Sequence, residues 1–206
     1  MVRALSCFLL LSALACARPV PNTDVQPAVE TSTPAPARAT ANAPTTAMSL
    51  FDFAPASAAD WYIQNDGVMG GKSKGQNALE DGRLVFTGTT VTRGGGFSSV
   101  LTEEVPSMAD FEGVELRVRG DGRTYQFAVH DGVRDRGREV WRRQDFATSE
   151  DWQTVRIPFA ELRATAHGEP VEVPAFAKTQ PVRAGFYIAD GQDGAFRLEV
   201  EEVRGY

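Results

Sequence analysis

The stretch VELRVRGDGRTYQFAVH, Val114 to His130, decides the fold. Val114, Leu116 and Val118 alternate with Glu115, Arg117 and Arg119. That is the period-two pattern of a strand burying one face. Tyr125, Phe127 and Val129 repeat the pattern beyond Gly120-Asp121-Gly122-Arg123, where glycine beside aspartate supplies tight-turn backbone. The pair predicts a β-hairpin with this turn at its tip. The turn also explains the Arg119-Gly120-Asp121 tripeptide without an adhesive role.

The same signature recurs on both sides. Ser49 to Phe53 predicts a short first strand, Gly82 to Val91 (GRLVFTGTTV) a long one, and Phe97 to Leu101 another entered through Gly94-Gly95-Gly96. The charged run Asp131 to Arg138 reads as a long solvated loop, followed by a strand over Val140 to Phe146. Trp152 to Phe159 predicts a strand stopped by Pro158, with one helical turn over Phe159 to Leu162. Loop then runs to Pro181, Gly185 to Ala189 forms a strand, and Asp190 to Gly194 turns the chain into the last one. There Phe196, Leu198 and Val200 point inward. Short strands, glycine-rich turns and no long amphipathic helix predict an all-β sandwich.

Charge and cysteine usage narrow the function classes. The 206-residue chain carries net charge −6, and Arg3, Arg18 and Arg38 against Asp24 and Glu30 give the first 47 residues +1. The remaining −7 argues against a nucleic-acid partner. Both cysteines, Cys7 and Cys16, lie in the first 16 residues, so the rest has no disulfide, thiol nucleophile or cysteine metal site.

Residues 1–16 read as a signal peptide. Arg3 starts it, Leu5 to Leu14 is too short an apolar run to span a bilayer, and Ala13-Leu14-Ala15 offers a cleavage site. Ala13-Leu14-Ala15-Cys16 also resembles a bacterial lipobox, which makes Cys16 the expected lipid-attachment residue and membrane anchor. Residues 17–47, rich in Pro, Ala and Thr, cannot bury enough surface to fold and form a disordered tether. These expectations place the folded part, 48–206, at the periplasmic face of the cell envelope, as an outer-membrane lipoprotein.

The candidate site is WYIQNDGVMGGKSKG, Trp61 to Gly75. Asn65-Asp66-Gly67 is a built turn, and Gly70-Gly71 marks a bulge or a close backbone approach. The candidate binding residues are Trp61, Asn65, Asp66, Met69, Gly70, Gly71 and Ser73, with Arg123 and Asp190 as neighbours. In the alternative, these residues only close one end of the sandwich.

Other chemistries find less support. Gly71-Lys72-Ser73 lacks the earlier glycine and the helix of a phosphate loop. His130 and His167 share no ligand spacing, and no nucleophile elbow is present. No cofactor or metal is expected, although Asp190 and Asp193 offer oxygen ligands of the kind calcium takes. Asp66 and Asp190 are the carboxylates a hydrolase would need to bring together. A glycan-binding surface would need a solvent-facing row from Trp61, Tyr62, Trp141 and Tyr125. Trp141 is the expected exposed member, and Trp152 the expected core one.

Many of these residues, in order, resemble the complex I intermediate-associated protein family. The resemblance spans about Leu50 to Tyr206. Its most specific part is Trp61, Asn65-Asp66, Val68-Met69-Gly70-Gly71 and Ser73. It continues through Gly95-Gly96-Phe97-Ser98, Arg119 to Gly122 with Tyr125, Trp152-Gln153, Pro158-Phe159, Gly185-Phe186, Ala189-Asp190 and Gly194. The resemblance implies a galactose-binding-like jelly-roll fold and, from mitochondrial members, a chaperone-like role in assembling respiratory NADH dehydrogenase without catalysis. The leader and tether set this chain apart from those members. The resulting expectation is a non-enzymatic binding or assembly domain for an envelope protein or complex, with carbohydrate binding as the alternative.

Overall fold

A computed structural model describes residues 48–51 and 53–206. The expected signal peptide, the tether and Cys16 lie outside them. Among the described residues there are thirteen strands: β1 (Met48–Ser49), β2 (Trp61–Asn65), β3 (Lys74–Glu80), β4 (Arg83–Thr90), β5 (Ser98–Thr102), β6 (Gly113–Gly120), β7 (Thr124–Asp135), β8 (Arg138–Ala147), β9 (Gln153–Pro158), β10 (Arg163–Ala166), β11 (Glu169–Pro170), β12 (Arg183–Ile188) and β13 (Gly194–Gly205). Helix among the described residues is confined to short 3-10 turns at Pro55–Asp60, Asp66–Met69 and Phe159–Glu161. No helix among the described residues is long and apolar enough to cross a membrane.

Two antiparallel sheets result, a jelly-roll sandwich. One runs β3-β4-β13-β6-β9, with β1 also on β13; the other runs β11-β10-β8-β7-β12-β5-β2. Alternation fixes which side of each strand faces the interior. Leu84, Phe86, Leu116, Val118, Leu198 and Val200 from the first sheet meet Trp61, Val100, Tyr125, Phe127, Phe146 and Phe186 from the second. Phe127 and Phe186 pack edge to face, as do Phe86 and Phe196.

Three expectations about connectivity are corrected. Gly120 to Arg123 is not a hairpin tip, because β6 pairs β13 and β9 while β7 pairs β12 and β8. The turn carries the chain between the sheets, so the two alternating apolar rows face each other across the core. Asp131 to Arg138 is not a loop: β7 and β8 continue through it as a hairpin, Arg134 opposite Glu139 and Asp135 opposite Arg138. A register shift before Arg134 lets Asp131 turn inward to Arg142, a buried pair 3.1 Å apart. The expected loop to Pro181 contains β10 and β11. At the start, only Met48–Ser49 pairs as a strand. Leu50 donates its N–H to the Val203 carbonyl, and Leu50, Phe51 and Phe53 enter the core around Trp61.

Candidate functional site

The loop singled out from sequence is built around a buried carboxylate. β2 ends at Asn65, one 3-10 turn covers Asp66–Met69, and Gly70 closes it at φ +82. Asp66 is fully buried. Its Oδ1 accepts the Ser73 N–H (3.1 Å), and its Oδ2 accepts the Ser73 hydroxyl (2.7 Å) and the N–H groups of Gly96 (2.6 Å) and Phe97 (3.4 Å). Burial alone would push this carboxyl up. The Gly96, Ser73 and Phe97 donors outweigh it and hold the group below the ordinary carboxylate range. A Cβ on either Gly71 or Gly95 would collide with the Asp66 side chain, which explains the glycine at each position.

Asn65 fastens the neighbouring layer. Its Oδ1 accepts the Gly75 N–H (3.0 Å) and the Ser98 hydroxyl (2.7 Å), tying β2 to the starts of β3 and β5. Ser73 Oγ in turn accepts the Val91 N–H at 3.0 Å. Asn65, Asp66, Gly71 and Ser73 thus form one internal knot. Trp61, expected at a contact surface, is buried against Phe51 and Phe53. Among the candidates of this loop, Gly70 lies at the surface, and Met69 ends the 3-10 turn.

Arg123 and Asp190 form a second knot. Arg123 Nε donates to Asp190 Oδ2 (2.9 Å) and Nη2 to Oδ1 (2.5 Å), a two-pronged pair that is nearly buried. Further Arg123 donors reach the carbonyls of Gln192, Gly194 and Ala195 and the Thr90 hydroxyl. Burial works to raise the Asp190 carboxyl, but Arg123 and the Gln192 N–H bring it below its usual range. The two knots share one segment. Thr90 and Thr92 are held by the 190–194 loop, Asp193 accepting the Thr92 N–H, while Val91, Gly96 and Phe97 donate into the first knot. The residues singled out from sequence are thus joined through their neighbours and turned inward. Asp66 and Asp190 accept protein donors on both oxygens. Asp193, considered for calcium, is engaged by Thr92, and no metal-ligating cluster occurs among the described residues.

A feature missed from sequence lies on the outer face of the seven-stranded sheet. Gln126 (β7), Arg143 and Asp145 (β8), Arg163 to Thr165 (β10), the β10–β11 turn with Gly168, and Ala189 line a pocket of about 540 Å³. A small apolar cluster of Leu101, Ala128, Trp141 and Tyr187 belongs to the same sheet. Gln126 Nε2 donates to Asp145 Oδ1 (2.8 Å), and Asp145 Oδ2 pairs with Arg163 (3.0 Å). Arg143 lies 4.1 Å over the Tyr187 ring. The signal was present: Gln126, Arg143, Asp145 and Arg163 occupy the strand positions opposite the inward phenylalanines. The expected aromatic row is absent, since Trp61, Trp141 and Tyr125 are buried and only Tyr62 is exposed. His130, Arg143 and Arg183 crowd Trp141. Trp152, expected in the core, instead lies outside the other sheet beside Arg83, Arg117 and Arg119.

The domain is thus of the jelly-roll β-sandwich class, with its rim carboxylates engaged internally and a polar pocket on one sheet face. The chain belongs to the complex I intermediate-associated protein 30 family, whose sequence profile matches residues 51–200. An uncharacterized protein of Schizosaccharomyces pombe is 32% identical over 168 residues, 70% of this chain and 77% of that protein. Among solved structures, the family 11 carbohydrate-binding module from Clostridium thermocellum, in complex with a β-1,3-1,4-mixed-linked tetrasaccharide, superposes with TM-score 0.51 at 14% identity. That match covers 75% of this chain and 95% of the module. An agarase matches at TM-score 0.50 and 12% identity over 78% of this chain and 24% of the enzyme. These structural likenesses concern the fold.

Proposed function

We propose that this protein is a non-catalytic binding domain, carried to the cell envelope by its leader and held there by its tether and Cys16, which grips its ligand on the outer face of the seven-stranded sheet. Family membership supports an assembly-type role, and the expected export makes an envelope protein the ligand. The pocket between β7, β8 and β10 carries the reading. Its volume of about 540 Å³ suits a ligand site, whereas Asp66 and Asp190 are committed to backbone and arginine donors.

A saccharide ligand is the second reading, favoured by the same pocket. Amide, carboxylate and guanidinium groups converge beside Tyr187, a lining suited to hydroxyl groups. The family 11 module, which shares the fold, holds a tetrasaccharide.

Ala189 lies on the pocket rim and is exposed, so Ala189→Trp obstructs the site without entering the core. Wild type coupled to resin should retain an envelope protein or a glycan that this variant does not. Equal retention by both proteins would remove the pocket from consideration, and retention of nothing would remove the binding role. In fractionated cells, Cys16→Ser should move the protein from the membrane to the soluble fraction; an unchanged distribution would refute the lipid anchor.

A further inference from the structure

The outer-face pocket contains a guanidinium that no carboxylate contacts directly: Asp145 attracts Arg143 only from beyond ion-pair distance, and Tyr187 supplies its side-chain hydrogen bond. Arg143 forms no ion pair with a carboxylate of the described residues, and its Nε is buried without a hydrogen-bond partner. The nearest candidate, Asp145, is already shared between Gln126 Nε2 and Arg163. The guanidinium lies over the Tyr187 ring, 4.1 Å from its centroid, with the Trp141 ring 5.9 Å away to the side. Burial pushes the group down from its ordinary value, yet an arginine stays charged under such conditions. Beside it, Gln126 Oε1 is also buried without a donor. The pocket thus offers a stacked, fixed guanidinium fork and, next to it, an acceptor in need of an O–H or N–H.

From this arrangement we propose that the ligand is an acidic saccharide, a glycan segment bearing uronic-acid residues. One sugar carboxylate meets Arg143, and a neighbouring hydroxyl donates to Gln126. The proposal rests on the saccharide reading of the same face. A carboxylate completes what the protein leaves open, because a planar guanidinium held by ring stacking presents parallel N–H groups that match two carboxylate oxygens. A neutral sugar would leave the buried charge with no contacting carboxylate and only the more distant Asp145 to offset it, which low local dielectric makes costly. Asp145 cannot take over, since moving it toward Arg143 breaks its bonds to Gln126 and Arg163. The hydroxyl beside the carboxylate distinguishes a sugar acid from a simple organic anion, which would leave Gln126 Oε1 unmet.

Isothermal titration of the purified protein decides the matter, with a tetragalacturonate and a neutral β-1,3-1,4-linked glucotetraose as probes. The acidic oligomer should bind, the neutral one at least ~10-fold more weakly, and the acidic affinity should fall as NaCl rises from about 0.05 to 0.5 M. Arg143→Gln should weaken the acidic oligomer at least ~10-fold and abolish most of its salt dependence. Arg143→Lys, which keeps the charge but loses the fork, should fall between. Arg163→Gln should cost only a few-fold, because that side chain is largely solvent-exposed. If Arg143→Gln loses the circular dichroism of the wild type, the Lys variant and the salt dependence carry the test. Equal affinity for both oligomers, lost in Ala189→Trp, would overturn the acidic assignment while sparing the saccharide reading. Binding of neither oligomer would defeat both.

Discussion

Asp66 keeps a negative charge in a place with no solvent, and no cation accounts for it. Three backbone N–H groups and one hydroxyl do. Asp66→Asn replaces one acceptor oxygen by an NH₂ that faces those donors. It should destabilise the domain by roughly 2–4 kcal/mol, since buried donors lose their acceptor. The carboxyl titrates lower in the folded than in the unfolded state. Its contribution is therefore complete above the unfolded value of about 3.9 and disappears as pH falls through the folded value. Urea denaturation should show the gap between wild type and Asp66→Asn narrowing below about pH 4; a constant gap into strong acid would contradict the account. The flanking glycines give a geometric check. Gly95→Ala drives a methyl into Asp66, whereas a Cβ on Gly67 meets nothing within 4 Å. Gly95→Ala should cost at least ~2 kcal/mol and Gly67→Ala within about 0.5 kcal/mol of nothing. Comparable losses at both sites would mean that the Asp66 contact is not the reason for the glycine.

At the scale of elements, strands were legible and partners were not. Alternation of apolar side chains is written into each strand, so β4, β5, β6, β8, β9, β12 and β13 follow from their own residues. Pairing depends on residues far away. Asp81-Gly82, Arg136-Gly137 and His167-Gly168 each place two successive positive-φ residues between paired strands, which is the hairpin turn matching strand twist. Gly120-Asp121-Gly122 looks stronger in sequence, yet it crosses between sheets, because local turn chemistry does not encode which sheet accepts the next strand. Charge misled in a similar way: Asp131 to Arg138 is polar enough for a loop, but its hairpin register and the Asp131–Arg142 pair are tertiary facts. The site divides along the same line. Asn65, Asp66, Gly71 and Ser73 stood out because unusual backbone leaves a mark in composition, whereas the pocket assembles ordinary residues from four chain segments. The left-handed positions also make a prediction. Arg136 (φ +50) and His167 (φ +52) hold a conformation that asparagine tolerates better. Arg136→Asn and His167→Asn should each add about 0.5 kcal/mol and raise the midpoint of thermal unfolding. A lowered midpoint in both would show that these side chains contribute more than the turn strain costs.

For the whole molecule, the question is what keeps one rim of the sandwich closed when the connection crosses from sheet to sheet. Arg123 stands directly after that crossing and grips the loop between β12 and β13, so it links the last strand of each sheet to the turn between them. Its carboxylate partner is nearly buried, as is the guanidinium. Removing either partner leaves a charge stranded in a poor solvent, and single substitutions should therefore be severe: about 3–5 kcal/mol for Arg123→Met or Asp190→Leu. Removing both takes away the stranded charge as well. The double variant should consequently be less damaged than the two single losses added together, by at least ~1 kcal/mol, in chemical denaturation at neutral pH. The remaining deficit would belong to the carbonyls of Gln192, Gly194 and Ala195, which lose their Arg123 donors wherever Arg123 is replaced. Strict additivity would mean that Arg123 and Asp190 act independently, and the closed rim would then depend on the Asp66 knot and the shared 90–97 segment alone.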